Sequence, residues 1–179
     1  MNKKVLIISA SPRRGGNSDL LCDQFMKGAE EAGHQVEKIF LRDKEVNYCV
    51  ACDTCQENGG ICVQDDDMAE VLDKMIAADV IVLATPVYFY SMNAQLKTLI
   101  DRTSPRYISI SNKDIYLIIT AAVISKQPLE RTIEGIRGFT SLLPGSEEKG
   151  IIYGTGAWKA GEIKGKPAME EAYLMGKAL

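Results

Sequence analysis

Residues Val5 to Ile8 form an unbroken aliphatic run that ends abruptly in Ser-Ala-Ser-Pro-Arg-Arg-Gly-Gly-Asn-Ser. A short apolar run without polar alternation, closed by turn residues, reads as a strand buried on both faces, and such strands belong to parallel sheets. Pro12 biases Ser11 toward an extended conformation. Gly15 and Gly16 permit backbone angles that other residues avoid. Asn17 or Ser18 can then cap a following helix. The amides of this loop, the hydroxyls of Ser9, Ser11 and Ser18, and the positive end of a helix dipole would converge on one point, where a phosphate binds well. Arg13 or Arg14 can add a charge-assisted contact. No Gly-Lys-Ser/Thr follows, so this is not a P-loop, and it is not the dinucleotide G-x-G-x-x-G loop. Hydroxyls in place of most glycines suit a terminal phosphate monoester. An ordinary strand-to-helix turn can carry the same residue types without binding anything.

The rest of the chain repeats the alternation of strand and helix. Strands are expected at residues 3–9, 34–41, 80–86, 114–123 and 150–154, with Pro86 ending the third. The first helix spans about 17–32, with Leu21, Phe25, Ala29 and Ala32 on one face and Gly33 as its stop. Further helices are expected at about 65–77 (Met68, Val71, Leu72, Met75 and Ile76 on one face), 93–103 (Leu96, Leu99 and Ile100 inward), 128–143 and 166–178. Five strands separated by helices argue for an α/β doubly wound parallel sheet with helices on both faces. Right-handed crossovers leave few topologies. The flavodoxin-like order 2-1-3-4-5 places a ligand at the carboxyl ends of strands one and three. A chain of 179 residues fits one domain, 1–179, with a cysteine-rich loop inserted at about 43–65.

Composition narrows the partners. The chain has 21 basic and 24 acidic residues and no basic cluster interleaved with aromatics, so nucleic acid is not expected. No apolar stretch reaches the length of a membrane span. A strand begins almost at the N-terminus, which argues against a signal peptide, so a cytoplasmic location is expected. The single histidine, His34, falls in a turn beside Gly33, which gives histidine-based nucleophilic catalysis little support. The second loop at the carboxyl edge follows strand three in Thr-Pro-Val-Tyr-Phe-Tyr-Ser-Met-Asn. Its aromatics Tyr88, Phe89 and Tyr90 can wall a flat ring system, or can cover the sheet end or a dimer contact. Such apolar loop surface at the ligand edge also points to a homo-oligomer.

The residues SASPRRGGNS and TPVYFYSMNAQLKTLIDR resemble the two FMN-binding loops of the NADPH-dependent FMN reductase family, and YGTGAWKAGEIKGKP is similar to its last strand and loop. The resemblance spans nearly the whole chain, and the cysteine-rich insertion brings it toward the iron–sulfur flavoprotein branch. It implies a flavodoxin-like fold and an FMN phosphate held by Ser9, Ser11, Arg13, Asn17 and Ser18. It implies that Pro86, Val87, Tyr88, Phe89, Tyr90 and Ser91 line the ribityl chain and one side of the isoalloxazine. The loop from Thr120 through Ala121 to Ala122 would approach the ring from the other side, with alanines where relatives often carry glycine. Trp158 can stack on or close the pocket, or simply pack. The resemblance also implies dimers or tetramers.

Cys49, Cys52, Cys55 and Cys62 form C-x2-C-x2-C-x6-C within one loop, while Cys22 reads as a small core residue. In a cytoplasmic chain, cysteines so spaced do not read as structural disulfides. Three thiolates two residues apart resemble the ligand run of low-potential iron–sulfur proteins, whereas cysteine-only zinc sites more often use two separated knuckles. The resemblance implies a 4Fe-4S cluster here; free or redox-active thiols, and zinc, stay open. The favoured function is a flavin-dependent oxidoreductase. FMN takes a hydride from NAD(P)H and passes electrons to a small-molecule or protein acceptor, and the cofactor carries the chemistry without a catalytic side chain. The alternatives are an FMN/iron–sulfur electron-transfer protein without its own NAD(P)H turnover, and a redox or metal sensor in which the four cysteines switch state.

Overall fold

The computed structural model describes residues 2–179. Its sheet contains β1 (Lys4–Ser9), β2 (Gln35–Phe40), β3 (Val80–Tyr88), β5 (Asp114–Thr120) and β6 (Glu147–Gly154) in the order β2-β1-β3-β5-β6, and every neighbour in that series is parallel. A two-residue strand, β4 (Ser91–Met92), pairs antiparallel with the end of β3. The spatial order is the expected flavodoxin-like one, counted with β4 added.

The period-2 alternation of side chains explains why the central strands are apolar throughout. Val5, Ile7, Val80 and Val82 face one side, where they meet Leu21, Cys22 and Phe25 of α1 (Asn17–Glu31) and Ala168 and Ala172 of α6 (Pro167–Lys177). Leu6, Ile8, Ile81 and Leu83 face the other side. There they pack on Val71 and Met75 of α3 (Met68–Ala77), Leu96 and Leu99 of α4 (Ala94–Arg102), and Ile133 and Ile136 of α5 (Glu130–Thr140). Phe25 meets the Tyr116 ring edge-on, with centroids 5.3 Å apart. Helices α1 and α6 touch backbone to backbone. A methyl on Gly28 would stand 2.1 Å from the Tyr173 carbonyl oxygen, and one on Gly176 would stand 2.1 Å from that of Phe25.

Several boundaries differ from the sequence expectation. Pro86 does not end β3. The strand runs on to Tyr88 because Val87 and Tyr88 find antiparallel partners in Met92 and Ser91. Ala32 is exposed and caps α1 rather than facing the core. The expected strand 114–123 stops at Thr120, and the strand expected at 150–154 starts earlier, at Glu147. The cysteine-rich segment holds one helical turn, α2 (Thr54–Glu57). His34 lies in its expected turn, where Nδ1 accepts a 3.1 Å hydrogen bond from the Lys3 amide. No helix among the described residues is long and apolar enough to cross a membrane.

Candidate functional site

The carboxyl ends of β1, β3 and β5 open into a cleft. Its lining includes Ser11, Arg13, Asn17 and Ser18 from the first loop, Pro86, Val87 and Tyr88 from the second, and Thr120, Ala121 and Ala122 from the third. Ala157, Trp158 and Ala160 close it from the last loop. Three loops far apart in sequence meet here because all three leave the same edge of a parallel sheet.

The first loop is shaped around the N-terminus of α1. Gly16 precedes the helix in extended geometry, and no side chain caps the helix end. The first-turn amides of a helix have no intrahelical acceptor, so they remain donors toward the cleft, reinforced by the helix dipole. Gly16 has no room for a side chain: a methyl there would lie 2.8 Å from the Arg13 carbonyl oxygen and 3.0 Å from Ser11 Oγ. Ser11 Oγ bonds both the amide and the carbonyl of Arg13, each at 3.2 Å, which fixes the turn. An uncapped helix end with two serine hydroxyls and an arginine beside it fits a dianionic phosphate.

Two candidate residues have additional duties. The Asn17 side-chain amide donates to the carbonyls of Ala157 at 3.2 Å and Lys159 at 3.0 Å, and Asn17 Oδ1 accepts from the Ile163 amide at 3.2 Å. Asn17 thus ties the closing loop to the phosphate loop. Ser18 Oγ shares a buried 2.6 Å hydrogen bond with Thr120 Oγ1, which joins the first loop to the third.

Other candidates do not reach the cleft. Ser9 is fully buried, and its hydroxyl donates to Asp19 Oδ1 at 3.5 Å. Ser9 shares the parity of Val5 and Ile7 and therefore faces α1. Asp19, which sequence reasoning passed over, also accepts from the Gly15 amide at 2.9 Å and from Lys38 Nζ at 2.9 Å, so it braces the loop from beneath. Burial opposes the Lys38 charge, but its bonds to Asp23 and Asp19 outweigh that and hold its pKa above the usual lysine range. Phe89 and Tyr90 form the tip of the β3–β4 hairpin and Ser91 begins β4, and none of the three lines the cleft. Phe89 and Tyr90 have φ of 50° and 61°, the type I′ arrangement usually made by Asn-Gly. The Phe89 side chain is entirely exposed, and Arg131 stands 5.7 Å from the centre of the Tyr90 ring.

A second cavity lies beside the C-terminus of α4. All four loop cysteines line it, with Asp101, Arg102, Ser104 and Pro105. Cys49 and Cys52 are exposed, Cys55 and Cys62 are half-buried, and all four thiols are free. Ala51 and Asp53 both adopt left-handed backbone angles, so they turn the chain sharply on either side of Cys52. The Ala51 amide donates to Cys49 Sγ at 3.4 Å, and Arg102 Nη2 donates to Cys62 Sγ at 3.5 Å. The Thr54 amide and hydroxyl lower the Cys52 thiol below its usual range. An all-sulfur donor set with amide and guanidinium donors around it fits an anionic, thiolate-bound metal–sulfur group in kind. Among the described residues, no three His, Cys, Asp or Glu side chains stand close enough together to hold a metal ion. Cys22, by contrast, is buried in the core, where desolvation pushes its thiol far up.

Helix α4 links the strand ends behind the cleft to the thiol cavity. Its N-cap, Asn93, accepts from the Leu96 amide at 3.3 Å, donates to the Ala10 carbonyl, and meets Thr85 Oγ1 at 3.1 Å. The helix thereby starts on the ends of β1 and β3, and its nine residues carry it to Arg102, about 13 Å away.

Comparison with known proteins follows the same lines. The family model of NADPH-dependent FMN reductase matches residues 3–132. An iron–sulfur flavoprotein of Methanocaldococcus jannaschii is 38% identical over 97% of this chain and 94% of its own. Another, from Archaeoglobus fulgidus, is 42% identical over 57% of this chain, and the match spans 46% of that longer protein. In fold, the chain resembles an FMN-dependent NADH-azoreductase of Bacillus anthracis solved in complex with FMN, with a TM-score of 0.77, 18% identity and 99% of each chain covered.

Proposed function

The chain belongs to the NADPH-dependent FMN reductase family and is an FMN-dependent oxidoreductase, and on that premise we propose that the cleft at the carboxyl edge of the sheet seats the FMN. The observation that carries this reading is the uncapped N-terminus of α1, flanked by Ser11, Ser18 and Arg13, at one end of a cleft whose other end is lined by Pro86, Val87, Tyr88, Ala121 and Ala122. When bound, FMN supplies hydride acceptance from NAD(P)H and electron delivery to an acceptor.

The protein's own residues hold and orient. First-turn amides, Ser11 and Arg13 bind the phosphate. Asp19 keeps the Gly15 amide, and with it the loop, in place. Asn17 and the Ser18–Thr120 bond lock the three loops to one another, so the cleft keeps its width. Small side chains at Ala121, Ala122, Ala157 and Ala160 leave space for a planar ring, with Tyr88 and Trp158 at its margin.

The four loop cysteines are proposed as ligands of an iron–sulfur cluster. Their shared cavity and its N–H donors support this, as do the iron–sulfur flavoproteins among the relatives. A second reading, an electron relay without its own NAD(P)H turnover, is favoured by one observation: α4 starts on the ends of β1 and β3, the strands whose loops line the cleft, and ends at the thiol cavity. Residues 1–179 are proposed to work as one FMN-binding unit. Self-association is proposed through the exposed Phe89 tip, and a reducing cytoplasmic setting suits five free cysteines.

Anaerobic purification followed by flavin, iron and acid-labile sulfide assays on one sample tests both sites. Flavin with stoichiometric iron and sulfide is expected. Flavin alone rejects the cluster, and failure to bind added FMN rejects the cleft assignment.

A further inference from the structure

We propose that Arg102 is the positioning residue of the four-thiol loop and sets the reduction potential of the group that the loop holds. The inference rests on the iron–sulfur reading of that loop and extends it.

Arg102 ends α4 with its side chain only 2% exposed, and Asp66 beside it is 1% exposed. The guanidinium grips Asp66 in a fork, with Nη1 at 2.7 Å and Nη2 at 2.9 Å from the carboxylate oxygens. Nη1 also donates to the Asn47 carbonyl at 2.6 Å, and Nη2 to Cys62 Sγ at 3.5 Å. Asn47 precedes the first cysteine, Cys62 is the last, and Asp66 lies just beyond it. One side chain therefore clasps both ends of the loop. The Asp66 carboxylate completes the clasp by accepting from the amides of Asn47 at 3.0 Å and Met68 at 3.1 Å.

Ion pairing alone does not account for an arginine here, because a buried pair is often replaceable by apolar residues without loss of stability. What only arginine offers is several donors in a rigid fork, able to serve a carboxylate, a carbonyl and a sulfur at once. Its Nε–H, moreover, is buried with no acceptor, in a side chain that lines the thiol cavity. That desolvated donor, in a side chain that borders both the thiol cavity and the one next to it, leaves a hydrogen bond open to a negative group beside the loop.

The physical consequence has a sign. An N–H donor and a positive charge at a ligand sulfur stabilise the reduced, more negative state and raise the potential. Asp66 partly cancels that charge. Neutralising Asp66 should therefore raise the potential, and neutralising Arg102 should lower it. Loss of loop structure alone would not produce opposite signs.

The test is a redox titration of the full chain, with its iron–sulfur group reconstituted, followed by visible and electron paramagnetic resonance spectra. Wild type is compared with D66N and with R102Q/D66N; R102Q alone would strand a buried carboxylate. D66N is expected to shift the midpoint upward. R102Q/D66N is expected to shift it downward by at least about tenfold in the reduction equilibrium, or 59 mV for one electron, with iron and sulfide per FMN unchanged. Identical midpoints in all three loaded proteins would overturn the assignment to Arg102 alone. Wild-type chain that binds FMN but takes up no iron or sulfide would overturn the iron–sulfur reading, and this inference with it.

Discussion

Arg13 is the charged side chain among those lining the cleft; its guanidinium donates to the Trp158 carbonyl at 3.4 Å, and the FMN phosphate is its proposed partner. A hydrogen bond to a charged group contributes about 1.5–3 kcal/mol. R13A should therefore weaken FMN binding by about tenfold or more, measured by quenching of flavin fluorescence, while riboflavin affinity stays at its wild-type value. Equal losses for FMN and riboflavin would place Arg13 away from the phosphate. Ser11, Arg13, Asn17 and Ser18 were legible in the sequence because they sit together in one loop with a strand before it and a helix after it. Ser9 adjoins them in sequence, but strand parity turns its side chain to α1 and Asp19, which a loop pattern does not encode. The second duties of Asn17 and Ser18 depend on loops more than a hundred residues away, which local pattern does not encode.

Helices α1 and α6 cross where Gly28 and Gly176 remove the side chains that would keep them apart. A methyl at either position would meet backbone rather than a movable side chain. G28A should cost about 3 kcal/mol or more, seen as a lowered thermal midpoint, since overpacking against rigid atoms cannot relax cheaply. The ends of α4 make a second prediction. Burial opposes ionisation of Asp66, but Arg102 and the amides of Asn47 and Met68 outweigh it and hold the carboxyl down at about 2. Its folded value lies below the ordinary 3.8, so its contribution is complete above about pH 4 and is lost as pH falls toward 2. That contribution is about 2 kcal/mol. Protection of the Asn47 and Met68 amides, taken relative to their intrinsic exchange rate at each pH, should fall across this window in wild type, and that acid-dependent step should vanish in D66N. The strands and long helices were legible because their apolar periods are clean. The Arg102–Asp66 clasp was not, because each residue alone reads as an ordinary polar position at a helix end.

On the scale of the whole molecule, the hairpin tip is the feature that a lone chain does not explain. Phe89 and Tyr90 hold left-handed backbone angles that cost about 1–3 kcal/mol each, and Phe89 stands wholly in solvent. F89N/Y90G should relieve that strain and raise thermal stability while reducing self-association in sedimentation; association equal to wild type would show that the tip is not the contact. The sheet order was legible from the strand–helix alternation and the handedness of crossovers, and it brought the three cleft loops to one edge. The aromatic composition of the tip was legible in the sequence, but its left-handed turn was not, because Phe-Tyr is not a residue pair that signals one. The cleft is proposed to bind FMN, and the bound flavin to accept electrons from a nicotinamide. The direct measurement is the visible spectrum of the FMN-loaded full chain under anaerobic conditions before and after NADPH is added. The flavin band should bleach, and NADPH should be consumed steadily once an acceptor such as a quinone is supplied. A bound flavin that stays oxidised in the presence of both NADPH and NADH would contradict this reading.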